Sequence, residues 1–343
     1  MAVHDTIQSI AGVLRTAVNP DPYQEIGLPM SSARSPKVVG WIGTGRMGAP
    51  LATRLAKAGY SVLAWNRTRS KAEALERHGV TVVDNIADLA SCDVVFTMVS
   101  ASKDLHEVVG QLLSGTARPQ YLVDCSTVSM DASAATRVTA EAAGVEFLAS
   151  PVSGNGKVVK AGLLSLVCSG NQAAFEAVRP LLDELGQHVT YVGEGERARL
   201  VKICHNLMLG VVTQNLAEIT VLAEKGGVSR AAFLEFMNNS VMGSMFTRYK
   251  SPAFVNLDFT PTFTPVLLRK DFDLGLALGN ELGVPMPVVA AAREPVQATI
   301  ALGHSADDFG VLLTLQAMLS GIELTPENVP VDDGLSAATD AER

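Results

Sequence analysis

The sequence predicts an α/β fold: a mostly parallel sheet covered on both faces, then a long linking helix, then an all-α C-terminal domain. Three observations carry this. Between Lys37 and Gly195 short apolar runs alternate with helical patterns, the order that builds a parallel sheet. From Glu196 to Lys225 there is no proline and one glycine, Gly210, with apolar residues at three- and four-residue spacing. That is one helix of roughly 30 residues, about 45 Å long, enough to span domains. Beyond it, residues 227–320 keep helical periodicity, with breaks expected at Pro252, Pro261, Pro265, Pro285, Pro287 and Pro295.

Taken in order, strands are predicted at Val38–Ile42, Ser61–Trp65, Val80–Val83, Asp93–Val99, Tyr121–Cys125, Val145–Ala149, Leu164–Cys168 and His188–Val192. Helices are predicted at Pro50–Ala58, ended by Gly59, and at Ser70–His78. Ahead of this, Ile7, Ile10, Leu14 and Val18 recur at helical spacing, and Pro20, Pro22, Gly27 and Pro29 break the pattern. Two readings of that segment stay open: a docking arm, or a stretch preceding a start at Met30. The implied divisions are residues 1–36 (extension), 37–195 (sheet domain), 196–226 (linking helix), 227–325 (helical domain) and 326–343, a polar, acidic tail expected to be flexible.

Hydrophobic residues make up 48% of the 343 and charged residues 18%, which excludes a disordered chain. The net charge of -8 argues against nucleic acid as a partner. Cys92, Cys125, Cys168 and Cys204 form no CxxC pair, and each sits in or beside an apolar stretch, so four buried, reduced thiols are expected. No uninterrupted apolar run approaches a membrane span, and Asp5, Asp21 and Glu25 make the N-terminus a poor secretory signal. A cytoplasmic protein with no membrane partner is the expectation. Apolar stretches at Leu207–Val212, Leu274–Leu278 and Val311–Leu319 exceed what a small domain buries alone, so a homo-oligomer, dimer or tetramer, is expected through the helical half.

Gly43, Gly45 and Gly48 form a G-x-G-x-x-G pattern with a strand before it and a helix after it. The first glycine permits the turn, the second admits a pyrophosphate, and the third lets helix and strand pack closely. The helix N-terminus then faces the phosphates with free N–H groups. The domain is therefore read as a Rossmann-type dinucleotide-binding domain. At the end of the second strand an NAD enzyme places an acid for the ribose 2′-OH. Here the residues are Asn66, Arg67 and Thr68. Arg67 can pair with a 2′-phosphate, and Asn66 and Thr68 can donate to it, so NADP is expected, with NAD possible.

These residues resemble the β-hydroxyacid dehydrogenase family, which includes 3-hydroxyisobutyrate dehydrogenases and glyoxylate/succinic semialdehyde reductases. The likeness spans about residues 37–320 and rests on motifs in the family's order: Gly43–Gly48, Asp124-Cys-Ser-Thr127, Pro151-Val-Ser-Gly154, Lys202-Ile-Cys-His-Asn206 and Lys270-Asp271. The resemblance implies a hydride transfer between the nicotinamide and a small β-hydroxy acid or semialdehyde. It makes Lys202 the general acid/base, with Asn206 one turn on and on the same helix face. Ser126, Ser153, Gly154 and Asn155 would contact substrate, and Lys270 would close over the nicotinamide side. The dinucleotide would touch Gly43, Thr44, Gly45, Arg46, Met47, Gly48, then Met98, Val99, Ser100 and Thr127, with Lys270 and Asp271 beyond. A lysine in water, with a pKa of about 10.4, is a poor base at neutral pH. Partial burial and a nearby cationic ring would lower that value. A positioned acid or base is worth roughly 10²–10⁴ in rate.

Two departures stand out. Asn155 replaces the glycine that the family usually has there; Asn tolerates a left-handed backbone and would narrow the pocket. His205 replaces a common asparagine. It is either hydrogen-bonded within the interdomain contact or a donor to an extra hydroxyl or acidic group of the substrate. No second His or carboxylate lies at i+4, so no metal site is expected. Lys-x-x-His-Asn also resembles 6-phosphogluconate dehydrogenase, but the apolar Leu207-Met208-Leu209 that follows departs from that enzyme. The rival functions are an imine reductase of the same fold, against which Lys202 counts, and a non-catalytic NADP-binding scaffold, against which Lys202, Asn206 and Ser126 together count.

Overall fold

The computed structural model describes residues 37–335; the helix and linker expected before residue 37, and residues 336–343, lie outside the described residues. The first six strands are β1 (Val38–Ile42), β2 (Ser61–Trp65), β3 (Thr81–Val82), β4 (Val94–Thr97), β5 (Tyr121–Asp124) and β6 (Glu146–Ala149). They form one parallel sheet in the order β3-β2-β1-β4-β5-β6. Alternate side chains feed two cores. Val39 and Trp41 of β1 and Val94 and Phe96 of β4 point to one face, and Ile42 and Val95 to the other. On the first face pack α1 (Gly48–Lys57), through Leu51 and Leu55, and a later helix, Gln172–Leu185. On the other pack α3 (Ser102–Leu112), through Leu105 and Val109, and α4 (Met130–Ala142), through Ala140. The expected helix at Ser70–His78 is two pieces, α2 (Arg69–Glu73) and a 3₁₀ turn at Glu76–His78.

The predicted single sheet is corrected at its C-terminal end. A short strand unseen in the sequence, β7 (Val152–Ser153), pairs antiparallel with β8 (Ser165–Cys168), which pairs parallel with β9 (His188–Tyr191). Two residues are too few for any periodicity to register. The helix α5 (Gly156–Lys160) follows β7, and α6 (Gln172–Leu185) covers the first core.

The linking helix α7 (Arg197–Lys225) runs 29 residues. By length and mean hydropathy (1.2) it matches a membrane span, which a search for uninterrupted apolar runs misses. Half of that window is buried inside the protein, as in a core helix. Its single glycine has a packing reason. A Cβ on Gly210 would lie 2.4 Å from the fully buried Phe272 ring, so this residue sets how closely the next long helix approaches. That partner belongs to the helical half: α8 (Arg230–Asn239), α9 (Met245–Asn256), α10 (Pro265–Glu281), α11 (Pro287–Ala301) and α12 (Leu312–Leu319). Leu207, Leu216 and Val221 of α7 join Phe254, Leu268, Phe272, Val296 and Leu312 in its core.

Three further expectations are corrected. Pro252 and Pro295 lie inside α9 and α11 and do not break them; buried Phe254, Val255, Ala292 and Val296 hold both helices in place around them. Cys92, Cys125 and Cys168 are buried, but Cys204 is exposed because it falls on the outer face of α7. The described part of the tail is anchored rather than flexible. The Glu327 carboxylate accepts from the Arg230 and Ala231 amides at 2.7 and 3.1 Å, and Leu335 is buried in the sheet domain's core.

One ion pair joins α7 to the sheet. Arg199, 1% exposed, donates to the Asp124 carboxylate at the end of β5, to the Ser126 carbonyl at 2.6 Å and to the Ser133 hydroxyl at 3.0 Å. Asp124 is fully buried and also accepts from Thr97 and Ser126. Removing one partner of such a pair leaves an uncompensated buried charge, at a cost of about 3–5 kcal/mol. Arg199→Met should lower stability by that amount in equilibrium denaturation, and adding Asp124→Asn should recover part of it. A single variant as stable as the parent would show that the pair does not hold the helix.

Candidate active site

A cleft of 530 Å³ opens at the C-terminal ends of the strands, between the sheet domain and the helical half. It lies beside the gap between β1 and β4, where the strand order reverses, the usual ligand position in such sheets.

The glycine loop forms its floor and fits a dinucleotide on four observations. Gly43 has φ +97°, and a Cβ there would collide with the Met98 carbonyl at 2.3 Å. A Cβ on Gly48 would meet the Gly43 carbonyl at 1.9 Å, so helix and loop touch. A Cβ on Gly45, by contrast, would point into open space, and this glycine faces the cleft. The N-terminus of α1 has no side-chain cap and no acid in its first turn, so its partial positive charge is uncompensated there; the Ala49 amide bonds the Gly45 carbonyl and Pro50 has no N–H, which leaves the Gly48 amide for a phosphate. Thr44 does not line the cleft; its buried hydroxyl has no protein partner. Arg46, Met47 and Gly48 line the cleft, as do Met98, Val99 and Ser100 after β4 and Thr127 after β5. Arg46 also donates to the Pro261 carbonyl at 3.2 Å, tying the loop to the helical half.

Asn66, Arg67 and Thr68 stand outside the cleft wall, at the end of β2. The expected role of Asn66 is corrected. Its Oδ1 accepts from the Thr44 amide at 2.9 Å and its Nδ2 donates to the Thr68 carbonyl at 2.9 Å, so it holds the glycine loop in shape. Arg67 has a 79% exposed side chain and one ion pair, to Asp104 at 3.2 Å. An exposed pair of this kind is worth about 0–1 kcal/mol and is readily exchanged. The Thr68 side chain makes no capping bond to α2.

Ser126 is corrected more fully. It does not line the cleft. It is 0% exposed; its hydroxyl donates to Asp124 at 2.6 Å and accepts from the Val99 amide at 2.8 Å. It braces the loops around the floor, and its neighbour Thr127 is the residue presented to the cleft. Ser153, Gly154 and Asn155 do line it. Asn155 has φ -120°, so no left-handed backbone is needed. Its Oδ1 caps α5, accepting from the Lys157 and Val158 amides at 2.9 and 3.2 Å. The strained position is Gly154, with φ +135° and a virtual Cβ 2.8 Å from Val158.

Lys202 projects from the first turns of α7 into the cleft, 9% exposed. Burial lowers its pKa to about 8, Asp271 opposes the shift, and Lys270 adds to it. Asp271 also lines the cleft, under the lysine motif, accepting from Asn206 Nδ2 at 2.6 Å, with its pKa raised by burial. Lys270 donates to the Thr127 carbonyl at 3.0 Å and lies 3.4 Å from Asp271, so it bridges the halves across the cleft.

His205 belongs to a directed chain. Because Asn206 donates to Asp271, its Oδ1 accepts from His205 Nδ1, at 2.9 Å. That fixes the tautomer, so His205 Nε2 accepts from the Ser153 hydroxyl at 2.7 Å. Burial and the Lys202 charge lower the imidazole pKa, which favours this neutral form. Both ring nitrogens are engaged, and neither is free to donate to a substrate. Of the two readings of His205, the geometry supports the interdomain hydrogen bond.

Sequence reasoning missed two groups. Arg199 has no motif of its own, although its spacing of three from Lys202 on one helix was readable. Met245, Phe246, Tyr249 and Phe309 line the cleft from the helical half; they are scattered apolar residues with no signal in a single sequence.

The fold and motifs agree with known proteins. Residues 38–193 match the family described as the NAD binding domain of 6-phosphogluconate dehydrogenase. Residues 196–315 match that described as the NAD-binding of NADP-dependent 3-hydroxyisobutyrate dehydrogenase. Glyoxylate/succinic semialdehyde reductase 1 of Arabidopsis thaliana is 32% identical over 279 residues, covering 80% of this chain and 96% of its own. The structure of Mycobacterium tuberculosis 3-hydroxyisobutyrate dehydrogenase with L-serine superposes with a TM-score of 0.72 at 26% identity, covering 81% of this chain and 98% of that one. An imine reductase from Myxococcus stipitatus shares the fold, with a TM-score of 0.52 at 24% identity over 81% of this chain and 99% of that one. This chain belongs to the β-hydroxyacid dehydrogenase family, as an NAD(P)-dependent oxidoreductase.

Proposed function

We propose that the protein is an NADP-dependent enzyme interconverting a small β-hydroxy acid and its semialdehyde or oxo acid, with Lys202 as the general acid/base. The observation that carries this is a buried lysine with its pKa lowered to about 8, facing a dinucleotide cleft beside Asn206 and Asp271. The bound nicotinamide would give or take the hydride. Lys202 moves the matching proton: its ammonium donates to the oxygen as a carbonyl is reduced, and its amine accepts from the hydroxyl as an alcohol is oxidised. Gly154 and Asn155 offer backbone N–H groups, and Asn155 its Nδ2, to the substrate carboxylate. Lys270 holds the cleft shut against the Thr127 carbonyl.

The pH dependence has a definite sign. A pKa of about 8 leaves Lys202 mostly ammonium at pH 7. Reduction should therefore hold below that value and fall above it, and oxidation should rise through it. Lys202→Ala should cut kcat at least ~10²-fold with cofactor affinity nearly unchanged. Steady-state turnover over semialdehydes, oxo acids and imines, with NADPH binding by fluorescence, tests this. Near-normal turnover in the variant sinks the lysine assignment, and turnover of imines alone replaces the substrate reading.

Preference for NADP rests on Arg67 and Thr68 at a strand end with no acid. Arg67→Asp should reverse the NADP/NAD ratio of kcat/KM; an unchanged ratio rejects the role of Arg67.

Assembly as a homodimer or tetramer through the helical half is part of the same reading. Leu222, Phe236, Met242 and Leu319 are each more than two-thirds exposed there. Solution scattering should give the mass of two or four chains, and a monomeric mass contradicts it.

A further inference from the structure

The cleft is lined by two chemically unlike sets of residues. Ser153, Gly154 and Asn155, with Lys202, offer polar groups. α9 and the 3₁₀ turn at Phe309–Val311 supply Met245, Phe246, Tyr249 and Phe309. Resting on the hydroxy-acid reading above, we propose that the substrate carries an uncharged, apolar substituent beside its carboxylate, and that Phe246 and Tyr249, backed by the buried Phe309, form the subsite that holds it.

The wall is fixed before any ligand arrives. Phe246 stacks with Phe309 at 6.2 Å and meets Tyr249 edge-on at 5.4 Å, and Phe263 meets Phe309 edge-on at 5.6 Å. Such offset and edge-to-face pairs are the favoured ring geometries. Lys250 Nζ sits 4.1 Å from the Phe309 ring centroid and pairs with Asp308 Oδ1 at 2.6 Å, both groups buried. Asp308 Oδ2 in turn accepts from the Thr262 amide and hydroxyl at 3.0 and 2.6 Å. The rings are thus held by an ion pair that contributes no charge to the cleft.

Charge and polarity settle what the wall can take. The charged residues lining the cleft are Arg46, Lys202, Lys270 and Asp271, none of them from α9 or the Phe309 turn. A second carboxylate or a phosphate placed against these rings would lose its hydration with no cation to replace it. The Thr262 hydroxyl is engaged by Asp308 and that of Thr264 by the Leu267 amide. The Tyr249 hydroxyl bonds no other described residue, and that of Thr264 only accepts, so both keep a proton to offer a polar edge of the substituent.

The test uses three matched substrates with the full-length enzyme: 3-hydroxypropanoate bearing hydrogen, benzyl or carboxyethyl on the carbon next to the carboxylate. Binding of unreactive 3-phenylpropanoate and glutarate to the NADP-loaded protein is measured alongside by calorimetry. The benzyl acid should exceed the carboxyethyl acid in kcat/KM by tenfold or more, and 3-phenylpropanoate should bind at least tenfold more tightly than glutarate. Phe246→Ala should shrink both ratios towards one, and Tyr249→Leu, a milder change, should narrow them less. Equal or reversed ratios in the parent protein overturn the subsite. No turnover of any of the three acids, with 3-phenylpropanoate still preferred in a Phe246-dependent way, sinks the hydroxy-acid reading and supports the subsite.

Discussion

The buried pair between Arg199 and Asp124 is the constraint on which the site depends. Asp124 ends the central strand β5, and Arg199 lies in the first turn of α7. The guanidinium also takes the Ser126 carbonyl and the Ser133 hydroxyl, so one side chain fastens the helix to the strand end, the loop after it and α4. Its planar fork of donors suits this, where a single ammonium could not satisfy all three directions. Lys202 follows three residues later, less than one turn along the helix. The position of the lysine relative to the glycine loop is therefore set by a contact that touches neither substrate nor cofactor.

Around Lys202 the charges are balanced rather than neutralised. Two lysines and one carboxylate share the buried end of the cleft, with Lys270 lowering and Asp271 raising the affinity of Lys202 for its proton. Burial tips this balance downward. Asp271 is itself held by Asn206, which also sets the tautomer of His205. Asp271, whose charge acts on Lys202, is thus linked to the loop carrying Ser153 through a continuous set of hydrogen bonds.

Much of this was legible in the sequence, for identifiable reasons. The glycine loop reads directly because each glycine answers a local steric demand, at Gly43 a positive φ and at Gly48 contact with the Gly43 carbonyl. Lys202 and Asn206 read as one face because helical spacing is fixed. What failed was the direction of short polar side chains. Ser126, Asn66 and Asn155 lie where motifs place them, yet each turns an oxygen back to bond nearby protein groups: Asp124 and Val99, Thr44, and the first turn of α5. Ser, Asn and Asp commonly bond nearby backbone in this way, and a motif names the residue without its rotamer. The partners of Arg199 and of Glu327 lie far away in the chain, so no local pattern could show them.

The two walls of the cleft also differ in how they recognise. The sheet domain works through backbone N–H groups, a helix N-terminus and short hydroxyls, features that follow from local turns and are visible as motifs. The helical half presents rings from Phe246, Tyr249 and Phe309; Phe246 and Phe309 pack in its own core and Tyr249 packs against the sheet domain's. The first set fits what every substrate of such an enzyme shares, a carboxylate and a nicotinamide partner. The second set meets what differs between substrates. Those rings are set by tertiary contacts such as Lys250 with Asp308, which no local pattern shows. On the proposed reading, substrate choice is carried by the part of the chain that a motif reading sees least.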